Sequence, residues 1–167
     1  METRIVIETG RADVILRQFV PQDAEMLFWL IDRNREHLSQ HDDRTSVKYP
    51  NLESVRRSIV YPVDPSRLRF GIWANGLLVG TVNLMPLDDE AEIGYWIAAQ
   101  HSGRGYVAAA VEALVQHAFG ALRMKSIFAN IHQANQASLG VVERAGFRFD
   151  GPAGSELLRY IRTNPNS

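Results

Sequence analysis

Apolar residues recur at two periods along this chain, and the changes of period mark its elements. Residues 14–20 alternate as a half-buried strand does. Pro21 suits the first turn of a helix, and Leu27, Leu30 and Ile31 follow at helical spacing, which predicts an amphipathic helix over 21–37. A polar excursion over 41–50 leads to Asn51, an N-cap residue for a second helix over 52–61. Three strands come next, over 69–74, 77–85 and 91–98. Asn75-Gly76 forms the first hairpin and a turn over 86–90 the second. Val107, Val111, Leu114, Val115, Ala118 and Leu122 then lie on one face of a long helix. An Ile- and Phe-rich strand over 125–132, a helix from Asn135 to Ala145 stopped by Gly146, and two short strands over 147–150 and 157–162 complete the chain.

This order of elements predicts a mixed α/β sheet rather than a repeating βαβ fold. With 167 residues the chain suits one domain, 1–167. No apolar run reaches the length of a membrane span, and the N-terminus lacks a signal-peptide layout, so a cytoplasmic location is expected. The net charge of −1, without a basic block, argues against nucleic acid as the main partner, and with no span-length apolar run no membrane partner is expected either. The absence of cysteine rules out disulfides, thiolate metal sites and a cysteine nucleophile. His37, His41, Asp42 and Asp43 fit no metal-ligand spacing, and no metal is expected.

The richest segment is Gln100-His101-Ser102-Gly103-Arg104-Gly105-Tyr106, between a strand-like and a helix-like run. Glycines let backbone N–H groups approach an anion, and a helix N-terminus adds unpaired donors and partial positive charge. The segment reads either as a phosphate cradle or as a plain turn. It lacks the Lys-Ser/Thr of a P-loop, and Ala108 stands where a dinucleotide fingerprint has its third glycine.

Taken with what surrounds it, this sequence resembles the GNAT acetyl-coenzyme A N-acetyltransferases. Gln100, Gly103 and Gly105 match that family's [QR]-x-x-G-x-[GA] motif. Asn135, Ser138, Gly146 and Phe147 match its N-x-x-S/A…G-F signature. The runs 92–97 (Glu-Ile-Gly-Tyr-Trp-Ile) and 34–38 (Asn-Arg-Glu-His-Leu) resemble the RimJ/RimL-type branch, which acetylates N-terminal amines of ribosomal proteins. The resemblance implies a mostly antiparallel sheet of 6–7 strands splayed in the middle, with about four helices on its two faces. It implies acetyl-coenzyme A as cosubstrate. Its diphosphate would lie on the backbone of Gln100, Gly103, Gly105 and Tyr106, with Arg104 adding a charge-assisted contact. Its pantetheine arm would lie along the backbone of Ile97 and Ala98. Relatives of this branch are often dimers, which makes a homodimer an expectation.

Two departures stand out. Many GNAT enzymes carry a tyrosine seven positions after the asparagine to protonate the leaving thiolate, and here that position is Val142. The chain after Phe147 is also short for the hairpin that often borders the acceptor site. Ser138, one turn from Asn135 on the same face, is therefore the candidate proton donor, against a small packing residue. Asn135 serves either as helix cap or as cap and pantetheine ligand together. A terminal α-amine, with pKa of ~8, loses its proton at neutral pH for about 1 kcal/mol, against about 4–5 kcal/mol for a lysine. A modest base is enough, and Glu92, on one strand face with Gly94 and Trp96, is the first candidate, ahead of Glu36, His37 and His132. One of Tyr95 and Trp96 is expected to line the acceptor cleft. Asp42-Asp43 reads as a solvated loop or as an attraction for a cationic substrate. The expected reaction is direct acetyl transfer to a protein or peptide N-terminal amine. The alternatives are a small-molecule amine (aminoglycoside or polyamine) as acceptor, or a relative that binds acyl-coenzyme A without turnover.

Overall fold

The computed structural model describes residues 4–167. Its eight strands form one sheet in the order β1-β2-β3-β4-β5-β6-β8-β7. They are β1 (Val6–Glu8), β2 (Val14–Gln18), β3 (Leu68–Ala74), β4 (Leu77–Leu87), β5 (Glu90–Ile97), β6 (Ser126–His132), β7 (Arg148–Pro152) and β8 (Leu157–Thr163). Every pairing is antiparallel except β5 with β6. The strand beyond the expected 6–7 is β1, whose three residues are too few to show alternation. Four longer helices match the expected ones: α1 (Ala24–Arg33), α4 (Leu52–Val60), α5 (Tyr106–Gly120) and α6 (Gln136–Arg144). The end of the first expected helix is set off as a single-turn helix, α2 (Arg35–Leu38), and the polar excursion adds another, α3 (Thr45–Lys48).

The two faces carry separate cores. On one, α5 lays Val111, Leu114, Val115 and Ala118 over Leu16, Phe70, Ile72, Val82 and Leu84, all fully buried. On the other, Leu27 and Ile31 of α1 and Val55 of α4 pack with Trp73, Leu78 and Ala98. Each such large side chain removed from water contributes about 1.5–3 kcal/mol.

Local chemistry explains where helices stop. Asn51 Oδ1 accepts from the Ser54 N–H at 2.9 Å and caps α4. At the end of α6, Gly146 takes φ +83°. There the Phe147 N–H reaches the Val142 carbonyl and the Gly146 N–H that of Glu143, a Schellman ending sealed by buried Phe147. The helix expected over 21–37 breaks at Asn34, because that side chain takes a carbonyl of the last turn of α1 and a partner outside the helix. Its Nδ2 donates to the Leu30 carbonyl at 2.7 Å, and its Oδ1 accepts from the Ala99 N–H at 2.9 Å. The second hairpin is tighter than expected: β4 pairs through Pro86 and Leu87, and Asp88, at φ +61°, makes the turn.

Two sheet irregularities shape the functional region. In β4 the register jumps between Ile72↔Gly80 and Trp73↔Leu78, which leaves Val79 as an extra residue. Beside it, β5 approaches so closely that a Cβ on Gly80 would strike the Trp96 carbonyl. The second irregularity is the central split. β5 and β6 pair through Glu90↔Ser126, Ala91↔Ile127 and Glu92↔Phe128, and then part.

Candidate active site

The parted strands open a cleft of about 810 Å³. Its walls are β5 from Ile93 to Ile97, the glycine turn with the head of α5, the end of β6, one face of α6, and the segment from His37 to Asp43.

The β5 wall offers backbone. Ala98 donates its N–H to the Val79 carbonyl at 2.8 Å, toward β4. Successive residues turn their peptide groups to opposite strand edges, so those of Ile97 and Tyr95 point across the split, into the cleft. This separates the two residues expected to meet a pantetheine arm. Ile97 lines the cleft, whereas Ala98 is buried in the α1–α4 core with its carbonyl also engaged, by the His101 N–H at 2.9 Å. His37 meets the same edge, its Nε2 donating to the Ile97 carbonyl at 3.1 Å. A carbonyl can only accept, so this bond places the His37 proton on Nε2.

The turn beyond β5 has the geometry of an anion site. Gly103 (φ +76°) and Gly105 (φ +80°) both take the left-handed conformation that glycine adopts without steric cost. Gly105 is the N-cap of α5 and has no side chain with which to cap it. The first-turn N–H groups of this 15-residue helix are thus left without an intrahelical acceptor and face the cleft at Tyr106, Val107 and Ala108. Arg104 lines the same rim, while Gln100 lies exposed outside it. Arg11 braces the turn from β2's approach. Its Nη1 donates to the Arg104 carbonyl, its guanidinium lies 5.0 Å from the Tyr106 ring centre, and it pairs with Asp13 at 2.9 Å. The hydrogen bond from Arg11 holds the Asp13 carboxyl below the usual range. Burial, with the charge of Arg104, holds the His101 imidazole below its ordinary pKa, and His101 Nδ1 is buried without a hydrogen-bond partner.

On the opposite wall, α6 presents Asn135, Ser138 and Val141. Asn135 Oδ1 accepts from the Ser138 N–H at 3.2 Å, the helix-cap geometry. Tyr95 spans the cleft and donates its hydroxyl to the Ser138 carbonyl at 3.0 Å. Burial pushes the Tyr95 phenol far above its ordinary pKa, so it stays protonated and tied to that carbonyl. Tyr95 and Trp96 both border the cleft, because a strand at an open split presents its edge as well as a face. Val142 is fully buried in the α5 core, and Val141, one position earlier, faces the cleft.

The carboxylate expected as base stands behind the wall. Glu92 does not line the cleft; its Oε2 accepts from Asn130 Nδ2 at 3.4 Å, and Asn130 does line it. His132 lines the outer part. Its Nδ1 accepts the Ala134 N–H at 3.1 Å, its Nε2 lies 3.6 Å from Glu156, and its ring centre is 5.5 Å from that of His41. Glu36 is exposed away from the cleft, and the side chain of Asp42 lies outside the described residues. Among the described lining residues Asp43 is the one carboxylate, beside His37, His41, His101, His132, Arg104 and Arg144. Among the described residues no group of three potential ligands could hold a metal ion.

Sequence reasoning overlooked Asn130 and Arg11. For Asn130 a signal existed: it interrupts an otherwise apolar strand and shares a face with Ser126, Phe128 and His132. For Arg11 none did, since it meets its partner 93 positions away.

A mixed sheet split between two parallel strands, with an uncapped helix head at the mouth of the split, is the framework of an acetyltransferase. The chain belongs to the GNAT acetyltransferase family: the model of the acetyltransferase (GNAT) domain matches residues 13–148. The putative ribosomal N-acetyltransferase YdaF of Bacillus subtilis is 31% identical over 149 residues, covering 84% of this chain and 80% of that protein. The ribosomal-protein-serine acetyltransferase of Escherichia coli is 31% identical over 136 residues, covering 75% of this chain and 73% of that protein. In fold the chain is similar to RimL, a ribosomal L7/L12 alpha-N-protein acetyltransferase solved in complex with coenzyme A. The TM-score is 0.86 at 20% identity, over 98% of this chain and 100% of that one. These relatives place the chain in the RimJ/RimL-type branch.

Proposed function

We propose that this protein, acting as a single cytoplasmic domain, transfers an acetyl group from acetyl-coenzyme A directly to the α-amine of a protein or peptide N-terminus. The observation that carries this reading is the continuity of one wall. Cleft-facing peptide groups of Tyr95 and Ile97 lead into two left-handed glycines and an uncapped helix head. An arm with amide groups pairs with the first as an added strand, and a diphosphate suits the second. In this reading Gly103, Gly105 and Tyr106 supply backbone donors to the diphosphate, and Arg104 adds charge from the rim.

The acetyl carbon then lies where β5 and β6 part. The amine nitrogen forms the new N–C bond as the C–S bond breaks. The proton lost by nitrogen passes to water. The departing thiolate takes one from the Ser138 hydroxyl, which is replenished from solvent. Tyr95 is a poor competitor for that role, because its phenol is pushed up and already bonded to a carbonyl. Most of the rate enhancement comes from positioning and from backbone N–H groups that polarise the thioester carbonyl. Glu92 serves the amine from behind Asn130 rather than by direct contact. A peptide amine fits this cleft better than a polyamine or aminoglycoside, since Asp43 alone among the described lining residues offers a polycation a carboxylate.

The test is release of coenzyme A thiol with three amines: a peptide beginning with serine, an aminoglycoside and spermidine. Mass spectrometry then locates the acetyl group. Acetylation of the peptide α-amine is expected. Acetyl-coenzyme A binding without release for any amine would instead favour a non-catalytic binding protein.

A further inference from the structure

One buried polar atom at the point where the strands part has no partner. Asn130 stands two residues past Phe128, the last position of β6 that pairs with β5, and is one of the residues that line the cleft. Its Nδ2 donates to Glu92, while its Oδ1 is buried and makes no hydrogen bond. A buried amide oxygen in that condition costs on the order of 1–3 kcal/mol, and a catalytic role is one of the reasons such an atom is kept.

The amide is not free to turn over. An ionised carboxylate can only accept, so Glu92 holds the NH₂ end and directs the carbonyl oxygen away from itself. Across the split, Gly94 shares a strand face with Glu92, and a Cβ added there would sit 3.4 Å from the Asn83 amide. Glycine keeps the β5 side of this point low, and Asn130 is the polar group that rises beside it. The imidazoles are differently employed: His132 already accepts through Nδ1, and His37 donates to β5.

We propose that Asn130 Oδ1 accepts a hydrogen bond from the incoming amine and so aims the nitrogen lone pair at the thioester carbon. Glu92 is a positioning residue that acts through Asn130 by fixing its amide. This rests on the acetyl-transfer reading above and assigns its amine subsite. A carbonyl oxygen takes up no proton, so Asn130 orients the nucleophile and leaves deprotonation to water.

The experiment compares steady-state kinetics of wild type and variants with the serine-initiated peptide, alongside calorimetry with acetyl-coenzyme A. Asn130→Ala is expected to lower kcat/KM for the peptide at least about tenfold, with acetyl-coenzyme A affinity within about twofold of wild type. Asn130→Asp sets two carboxylates together and is expected to be as poor. Adding Glu92→Gln to it exchanges acid and amide between the two positions and restores most of the activity. Wild-type peptide kinetics in Asn130→Ala, or an equal fall in acetyl-coenzyme A affinity, would overturn the assignment. A double variant no better than Asn130→Asp would overturn the part given to Glu92. If Asn130→Ala does not fold, the exchanged pair carries the test. Wild-type protein that acetylates no amine would be a failure of the proposed function itself, a result distinct from any of these.

Discussion

The amide of Asn34 is bonded to the second residue after β5: its Oδ1 accepts from the Ala99 N–H at 2.9 Å, 65 positions along the chain. One buried side chain thereby ties the break between α1 and α2 to the start of the glycine turn. Asn34→Ala removes this bond and the one to Leu30, and leaves the buried Leu30 carbonyl without the amide. The expected loss of stability is about 2–3 kcal/mol, read as a lower urea midpoint at unchanged slope. Asn34→Asp keeps the acceptor for Ala99 and should fall between the two.

Gly105→Glu is expected to abolish acetyl-coenzyme A binding in calorimetry, with a native circular dichroism spectrum. The new side chain brings negative charge to the helix head and must adopt φ near +80°. Undiminished affinity would remove the anion cradle from the proposal. Gly105→Ala meets the conformational cost, roughly 1–2 kcal/mol, and places a Cβ 3.2 Å from Arg11 Nη1, so it should weaken binding without eliminating it.

Gly80→Val tests the close approach of β4 and β5. Its side chain has nowhere to go, because the obstacle is the Trp96 backbone carbonyl rather than a movable side chain. Destabilisation on the order of 3 kcal/mol is expected by chemical denaturation. A neutral result would mean that the strands slide apart freely at this point.

Ser138→Ala should lower kcat by about 100-fold or more while acetyl-coenzyme A affinity stays close to wild type. The mutated atom is the proposed source of a proton, whereas the carbonyl that Tyr95 holds belongs to the backbone and survives. An intact kcat would send the search for the donor elsewhere.

Acid stability offers a separate check on His101. Burial lowers its pKa in the folded protein below the unfolded value, so the unfolded chain takes up a proton first as pH falls. This residue therefore contributes nothing at neutral pH and destabilises the fold progressively as pH drops through about 6.5, the ordinary histidine value. His101→Gln should lose less stability between pH 7 and pH 5 than wild type, measured as paired urea midpoints.

Features encoded within a few residues were legible in the sequence. The Asn51 cap, the Gly146 stop, the Asn75-Gly76 hairpin and the paired glycines of the turn before α5 each depend on immediate neighbours, and each was placed correctly. Features that depend on distant partners were not. Asn34 looked like one more helical residue because Ala99 is invisible from its position, and Arg11 carried no sign of Arg104. Glu92 is the instructive case. Alternation put it on the expected face, yet whether it reached the cleft was decided by Asn130, 38 positions later on the neighbouring strand.

The burial of Val142 has a last consequence. Restoring a phenol at that point of α6 would not restore a proton source, because the side chain would be driven into the packing beneath α5 and not toward the thioester. No single substitution there can return this protein to tyrosine-based chemistry; the helix would first have to rotate. The proposed delivery from an earlier turn, by the shorter arm of Ser138, agrees with the way this helix sits on the sheet.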